Sequence, residues 1–290
     1  VPGGDAVKPV ILGVSGLSLR REERALLRAH EPRGVILFGR NISDPQQLAA
    51  LVAELRDALP VGAVLMVDQE GGRVARLRAP HWPELPAAGT LRNEDEAYAH
   101  GLALGGIVKA AGFDVAAAPV LDLRVKGASH VIGDRAISGP PERVAALGLR
   151  IAEGIMDAGV IPVMKHVPGH GRALVDSHFA LPKVVELGED YVPFALCRHL
   201  PWAMTAHVIY EDVDAQAAAT VSAKVISQVI RGKIGFTGVL VSDDLAMHAL
   251  TGTPGERAKA ALAAGCDIAL YCTGDLTDNR ALLEAVAHEC

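Results

Sequence analysis

The stretch KHVPGHGRALVDSH, Lys165 to His178, gathers three histidines, a lysine and an aspartate and separates them with proline and glycine. Such a density of titratable groups suits three kinds of chemistry: a metal cage, a phosphate cradle, or a device that moves protons. Pro168, Gly169 and Gly171 oppose a regular helix, so His166 and His170 do not share a helical face despite their i, i+4 spacing, and the segment reads as a loop.

Neutral histidines and carboxylates are ordinary zinc ligands. The chain, however, contains no HExxH and opens its first strand with no HxH, and Lys165 places positive charge where a cation would sit. The phosphate reading rests on PGHG and on DQEGGRV at 68–74, neither of which fits a Walker loop, and no GxGxxG follows a strand. Glycine pairs such as Gly71 and Gly72 more often mark a tight turn. For proton transfer, Asp176 lies two residues before His178. In a turn its carboxylate can accept the imidazole N–H, fix the tautomer and favour the imidazolium, which makes His178 a proton donor near neutrality. The same pair could equally close the loop without doing chemistry.

These groups need a scaffold. Short β-branched runs recur at 9–14, 34–38, 63–68, 114–120, 160–166, 203–208, 238–244 and 267–272. Several precede segments with helical spacing of apolar residues, such as PQQLAALVAELRDAL from Pro45 and PERVAALGLRIAEGIMDAG from Pro141, with proline in the first turn. Eight strand-then-helix repeats over 1–290, without a break in composition, predict a single-domain (β/α)8 TIM barrel of the α/β class. Long connections should follow strands three to six, at the C-terminal mouth where barrel active sites gather. Polar residues collect at that mouth: Asp68, Lys165, His166, His207, Asp243 and Asp244. A barrel rim also carries satisfied structural polar groups, so convergence, rather than any one residue, points to function. Strand alternation lets one of Asp243 and Asp244 face the barrel axis without saying which.

Composition narrows the partners. Half of the 290 residues are hydrophobic and the net charge is −6, so a sizeable core is affordable and no basic surface is available for nucleic acid or anionic lipid. Cys197, Cys266, Cys272 and Cys290 match neither a CxxC pair nor a zinc knuckle and read as reduced thiols. With no run of about 18 apolar residues, a cytoplasmic setting is expected.

Seven blocks in order carry a resemblance: VILFGRN at 35–41, DQEGGRVARLR at 68–78, APVLDL at 118–123, VIGDRAIS at 131–138, KHVPGHGRALVDSH, MTAHVIY at 204–210 and GVLVSDDLAM at 238–247. Together they resemble the bacterial β-N-acetylhexosaminidases of glycoside hydrolase family 3, over nearly the whole chain. The resemblance implies a barrel enzyme, without metal or organic cofactor, that removes terminal β-linked N-acetylglucosamine with retention through a covalent glycosyl-enzyme. It implies Asp243 as nucleophile, His178 as acid/base and Asp176 as its partner. Asp68, Arg76, Arg135, Lys165 and His166 are implied as sugar contacts, with Asp244 structural and His170 and His207 supporting. Soluble muropeptides of bacterial cell-wall recycling are the implied substrate. Two positions depart from the pattern: Val167, where relatives commonly carry an aromatic residue, and Arg172, where aspartate is frequent. They bear on the loop and the aglycone rather than the reaction type. The nearest rival is a glycoside phosphorylase, since a histidine donor leaves no anionic base to repel phosphate; a metal-dependent barrel hydrolase and a non-catalytic sugar-binding module are further alternatives.

Overall fold

A computed structural model describes residues 7–125, 127, 132–173, 181–247 and 250–287. Eight parallel strands form the frame: β1 (Lys8–Gly13), β2 (Pro32–Leu37), β3 (Val64–Val67), β4 (Val115–Ala116), β5 (Ile161–Val167), β6 (Trp202–Thr205), β7 (Val239–Val241) and β8 (Ala269–Tyr271). Each pairs with its sequence neighbour, and β8 pairs with β1. A bridge between Val241 and Ile268, with the Ser242 N–H donating to the Ile268 carbonyl at 2.9 Å, joins β7 to β8 and closes the ring. Closure leaves no free sheet edge.

Buried β-branched strands produce two cores by alternation. Ile11, Ile36, Met66, Val115, Val163, Met204 and Leu270 fill the barrel interior. Val10, Leu12, Val35, Leu37, Leu65, Val67 and Leu240 point the other way, into the layer shared with the helices. Those helices are α1 (Arg21–His30), α2 (Pro45–Ala58), α3 (Glu94–Ala110), α4 (Pro141–Asp157), α5 (Val192–Leu196), α6 (Pro254–Ala264) and α7 (Leu276–Ala285), with a π-type turn of helix, Val225–Lys233, after β6. Their starts follow local chemistry. The Asp44 carboxylate takes the Gln47 N–H ahead of Pro45, and Thr253 and Glu256 exchange backbone bonds around Pro254.

The eight expected strands are all present, with limits shifted by one or two residues at β1, β2 and β5 and shorter for the other five. The fourth shrinks from 114–120 to two residues: the Ala118 N–H turns back to the Ala116 carbonyl, Pro119 has no N–H to give, β5 bonds the Ala118 and Pro119 carbonyls, and a further bridge forms between Val120 and Lys165. At the bottom of the barrel, Glu31 alone separates α1 from β2, in the left-handed region at φ 46°. Strands three to six carry the long connections expected of them, at 68–93, 117–140, 168–191 and 206–224. Within them, Lys183–Val184 and Ile209–Tyr210 form a small parallel pair that ties the fifth connection to the sixth. Among the described residues no helix is long and apolar enough to cross a membrane.

Candidate active site

Asp68 and Glu70 leave β3 with the same strand parity and meet Lys165 from β5. The Lys165 ammonium, buried at the mouth, lies 2.8 Å from Asp68 Oδ1 and 2.7 Å from Glu70 Oε1. Arg135, from the connection after β4, grips Glu70 with both arms of its fork, Nε to Oε2 at 2.9 Å and Nη2 to Oε1 at 2.8 Å. Arg76 Nη2 reaches Asp68 Oδ2 at 2.7 Å, and its guanidinium carbon lies 5.5 Å from the Phe38 ring centre. Burial alone would push both carboxyls up, but the Lys165 ammonium and the neighbouring guanidinium groups outweigh it and hold Asp68 and Glu70 below the ordinary carboxylate range. Likewise Lys165, which burial would lower, is raised by Asp68 and Glu70. Two carboxylates and three cations thus form a preset charge lattice on one side of the mouth.

A bulge puts His166 beside this lattice. The β5–β6 register shifts between Lys165 and Val167, inserting one residue and breaking the alternation that would turn His166 away from Lys165. Its Nδ1 bonds Asp122 Oδ2 at 2.7 Å, while the backbone N–H groups of His166 and His170 donate to the same buried carboxylate, the latter at 2.7 Å. The two imidazoles meet edge to face at 5.9 Å. Burial opposes ionisation of Asp122, and the charge and hydrogen bond of His166 reverse the balance and keep its carboxyl low.

Asp243 and Asp244 follow β7 and separate by environment. Asp244 Oδ1 accepts the N–H groups of Cys272 at 3.0 Å and Ala246 at 2.9 Å, fixing the chain against β8, and burial raises its carboxyl. Asp243 shares the inward parity of Val241. Among the described residues its carboxylate receives only the Asp244 N–H, at 2.8 Å, and pairs with no lysine or arginine. Burial would raise it too, but the imidazoles of His207 and His166 and that N–H outweigh burial and hold it below its ordinary value. Adjacent carboxylates pushed in opposite directions are the signature of separate tasks.

Residues 7–289 match the glycosyl hydrolase family 3 N-terminal domain. The chain belongs to glycosyl hydrolase family 3. Among curated relatives of this family 3 chain, the β-hexosaminidase of Alkalilimnicola ehrlichii is 42% identical over 282 residues, covering 91% of this chain and 80% of that protein. A β-hexosaminidase of Pseudomonas aeruginosa is 42% identical over 274 residues, covering 91% and 82%. Among solved structures, NagZ from Neisseria gonorrhoeae in complex with N-trifluoroacetyl-D-glucosamine superposes with a TM-score of 0.88 at 35% identity, covering 98% of this chain and 87% of that one. A family 3 β-N-acetylglucosaminidase from a Paenibacillus species gives 0.90 at 35% identity; 96% of this chain is covered, and it spans 56% of that longer enzyme. Membership makes the protein a glycoside hydrolase built on a TIM barrel.

Of the sequence-predicted residues in this family 3 site, Asp68, Arg76, Arg135 and Lys165 are joined in one lattice, His166 lies beside it, and Asp243 occupies the end of β7. Asp176 and His178 lie outside the described residues. His170 shares Asp122 with His166, and His207 bonds the Asp244 carbonyl. The departure at Arg172 has a partner: its Nε lies 2.6 Å from Oδ2 of buried Asp190, whose carboxyl burial pushes up to about 6 against the pull of that guanidinium. Val167 is fully buried in the layer outside the barrel. Two carboxylates escaped selection from the sequence, Glu70 and Asp122. The D-x-E parity at the end of β3 was a usable signal for the first; nothing in the spacing marks the second. Among the described residues, no group of three or more His, Cys, Asp or Glu is arranged to hold a metal ion.

Proposed function

We propose that this enzyme removes terminal β-linked N-acetylglucosamine with retention, through a covalent glycosyl intermediate on Asp243. The support is the asymmetry at the end of β7: of two adjacent carboxylates, Asp244 is spent on backbone N–H groups, while Asp243 is held ionised with lone pairs uncommitted. A glycosidic carbon gathers positive charge as its bond breaks, so a carboxylate beneath the ring stabilises that charge and captures the sugar. Departure of the aglycone requires a proton, for which His178, oriented by Asp176, is the donor; this replaces the usual second carboxylic acid.

Asp68, Arg76, Arg135, Lys165 and His166 are the proposed sugar contacts. Adjacent hydroxyls offer paired donors and acceptors, and a lattice of carboxylates and forked donors matches them. The substrate specificity follows the β-hexosaminidase relatives and the glucosamine derivative bound by the Neisseria gonorrhoeae enzyme. Soluble muropeptides released in cell-wall recycling, met in the cytoplasm, are the proposed natural substrates, with no metal, organic cofactor, nucleic acid or membrane taking part.

Asp243→Asn should abolish release of nitrophenol from a nitrophenyl N-acetylglucosaminide. A fluorinated, activated N-acetylglucosaminyl donor should leave a mass adduct on the peptide containing Asp243. An adduct on any other residue overturns the mechanism.

A further inference from the structure

The peptide at Asp243 is held by groups that do not belong to its own strand. The Asp243 N–H donates to Thr205 Oγ1 at 3.1 Å, and Thr205 Oγ1 lies 2.8 Å from Thr220 Oγ1. Thr220 Oγ1 is 2.6 Å from His207 Nδ1, and His207 Nε2 is 2.9 Å from the Asp244 carbonyl oxygen. A carbonyl only accepts, so Nε2 carries the proton in that last bond and leaves Nδ1 as acceptor in the neutral tautomer. In that neutral form the donors can run in one direction, Asp243 N–H to Thr205, Thr205 hydroxyl to Thr220, Thr220 hydroxyl to His207, and His207 back to the chain at Asp244; a protonated ring keeps the bond to Asp244 and donates from Nδ1 to Thr220 instead. The Ala206 carbonyl, a longer alternative for the Thr220 hydroxyl at 3.2 Å, lies outside this circuit.

Thr205, His207 and Thr220 have no exposed surface. Burying three polar side chains is costly unless each is satisfied, and apolar residues of similar volume would fill the same space without that cost. Their placement accounts for their presence. Thr205 ends β6, His207 lies two residues on, and Thr220 sits in the short 3-10 turn Ala219–Val221, so the circuit reaches across from the neighbouring strand and its connection. It grips residue 243 on its N-terminal side through an N–H and on its C-terminal side through a carbonyl. From the opposite neighbour, β8, the Cys272 N–H holds the Asp244 carboxylate.

We infer that Thr205, Thr220 and His207 are positioning residues that aim the Asp243 carboxylate by pinning the backbone on both sides of it. The inference rests on the reading of Asp243 as nucleophile. A misplacement of about 1 Å at a reacting group costs on the order of 100-fold in rate. His207→Leu, which removes both ends of the ring's bridge, should lower kcat by about that factor and change KM less than about threefold, because the sugar lattice on β3 and β5 is untouched. His207→Gln can accept from Thr220 through its amide oxygen and donate to Asp244 through its nitrogen, so it should recover kcat to within about tenfold of the unmodified enzyme. Thr220→Val, nearly isosteric, should fall between the two.

The experiment compares these three variants with the unmodified enzyme by steady-state kinetics on nitrophenyl N-acetylglucosaminide, by thermal unfolding, and by the rate and position of trapping with the fluorinated donor. Positioning is supported if trapping slows in parallel with kcat while the adduct stays on Asp243. It is overturned if His207→Gln is as slow as His207→Leu, or if Thr220→Val, folded by its melting curve, turns over and is trapped at the unmodified rate. Should His207→Leu not fold, the comparison of Thr220→Val with His207→Gln decides in the same way. An adduct away from residue 243 in the unmodified enzyme instead overturns the nucleophile assignment, a distinct failure.

Discussion

Glu70→Gln tests whether the charge lattice is an assembled unit. Glu70 is buried and accepts both arms of Arg135 as well as the Lys165 ammonium. Glutamine keeps the shape and one acceptor oxygen, but it turns an N–H₂ toward a cation and removes one of the two carboxylates that face the three cations of the lattice. Breaking a buried pair by neutralising one partner costs about 3 kcal/mol or more. At an unfolding entropy of roughly 2.1 cal/mol/K per residue, or about 0.6 kcal/mol/K for this chain, the midpoint should fall by about 5 °C at pH 7. With Arg135 and Lys165 no longer fixed, kcat/KM on nitrophenyl N-acetylglucosaminide should fall by about 10- to 100-fold. The pH dependence supplies a sign. The folded state holds the Glu70 carboxyl below its ordinary value of 4.5, so its contribution is present above that pH and is lost as pH falls through the lower folded value. The gap in melting temperature between the two proteins should therefore be constant from pH 7 to about 5 and narrow below about 4.5. A gap that is absent at pH 7, or that widens on acidification, would refute the lattice as described.

Asp190 should show the opposite slope. Its folded carboxyl is raised to about 6, so it is a source of stability below about pH 4 that is lost as pH rises through 6; Asp190→Asn should flatten that loss, measured as the urea midpoint between pH 4 and pH 7.5, and an unchanged slope would count against it. Gly101→Ala should cost about 3 kcal/mol, since a Cβ there would lie 2.1 Å from the Ile151 carbonyl oxygen and force α3 from α4, whereas Gly106→Ala on the open side of α3 should gain about 0.5–1 kcal/mol; chemical denaturation of both tests this, and equal effects would contradict it. Inorganic phosphate should leave the rate and the free-sugar product unchanged, and acceleration with formation of sugar 1-phosphate would establish the phosphorylase reading instead.

The barrel was legible because its information is periodic. Buried β-branched runs, proline in the first turns of α2 and α4, and long connections after strands three to six all survive in the fold. What could not be read was the limit of each strand, most of all β4, where the backbone turns back on itself at Ala116–Ala118 in a run whose composition continues. The bulge in β5 was equally hidden. Alternation alone would have sent His166 to the opposite face from Lys165, and the register shift against β6, a property of two strands together, breaks that alternation.

The site was legible to the extent that chemistry follows strand ends. Glu70 shares the parity of Asp68, which is a legible signal, although the glycine pair that follows it reads first as a tight turn. Asp122 has no such signal: it lies in irregular chain beyond β4 and matters because two histidine N–H groups and an imidazole converge on it from β5 and the connection that follows. The sequence offered no choice between Asp243 and Asp244 beyond the resemblance, and the three-dimensional accounting of acceptors is what supports the proposal of Asp243. Asp68, Glu70 and Asp122 each receive donors at both carboxylate oxygens. Asp244 is spent on two backbone N–H groups and its carboxyl is raised. Asp243 alone combines a held negative charge with an oxygen that no donor reaches among the described residues. An electron-poor anomeric carbon needs that combination, because a carboxylate saturated with donors is a weaker nucleophile and a protonated one is none. Around the mouth, Asp68, Glu70 and Asp122 have donors on both oxygens, and Asp244 has two N–H groups on one oxygen with its carboxyl raised, which leaves Asp243 the held charge best placed to attack.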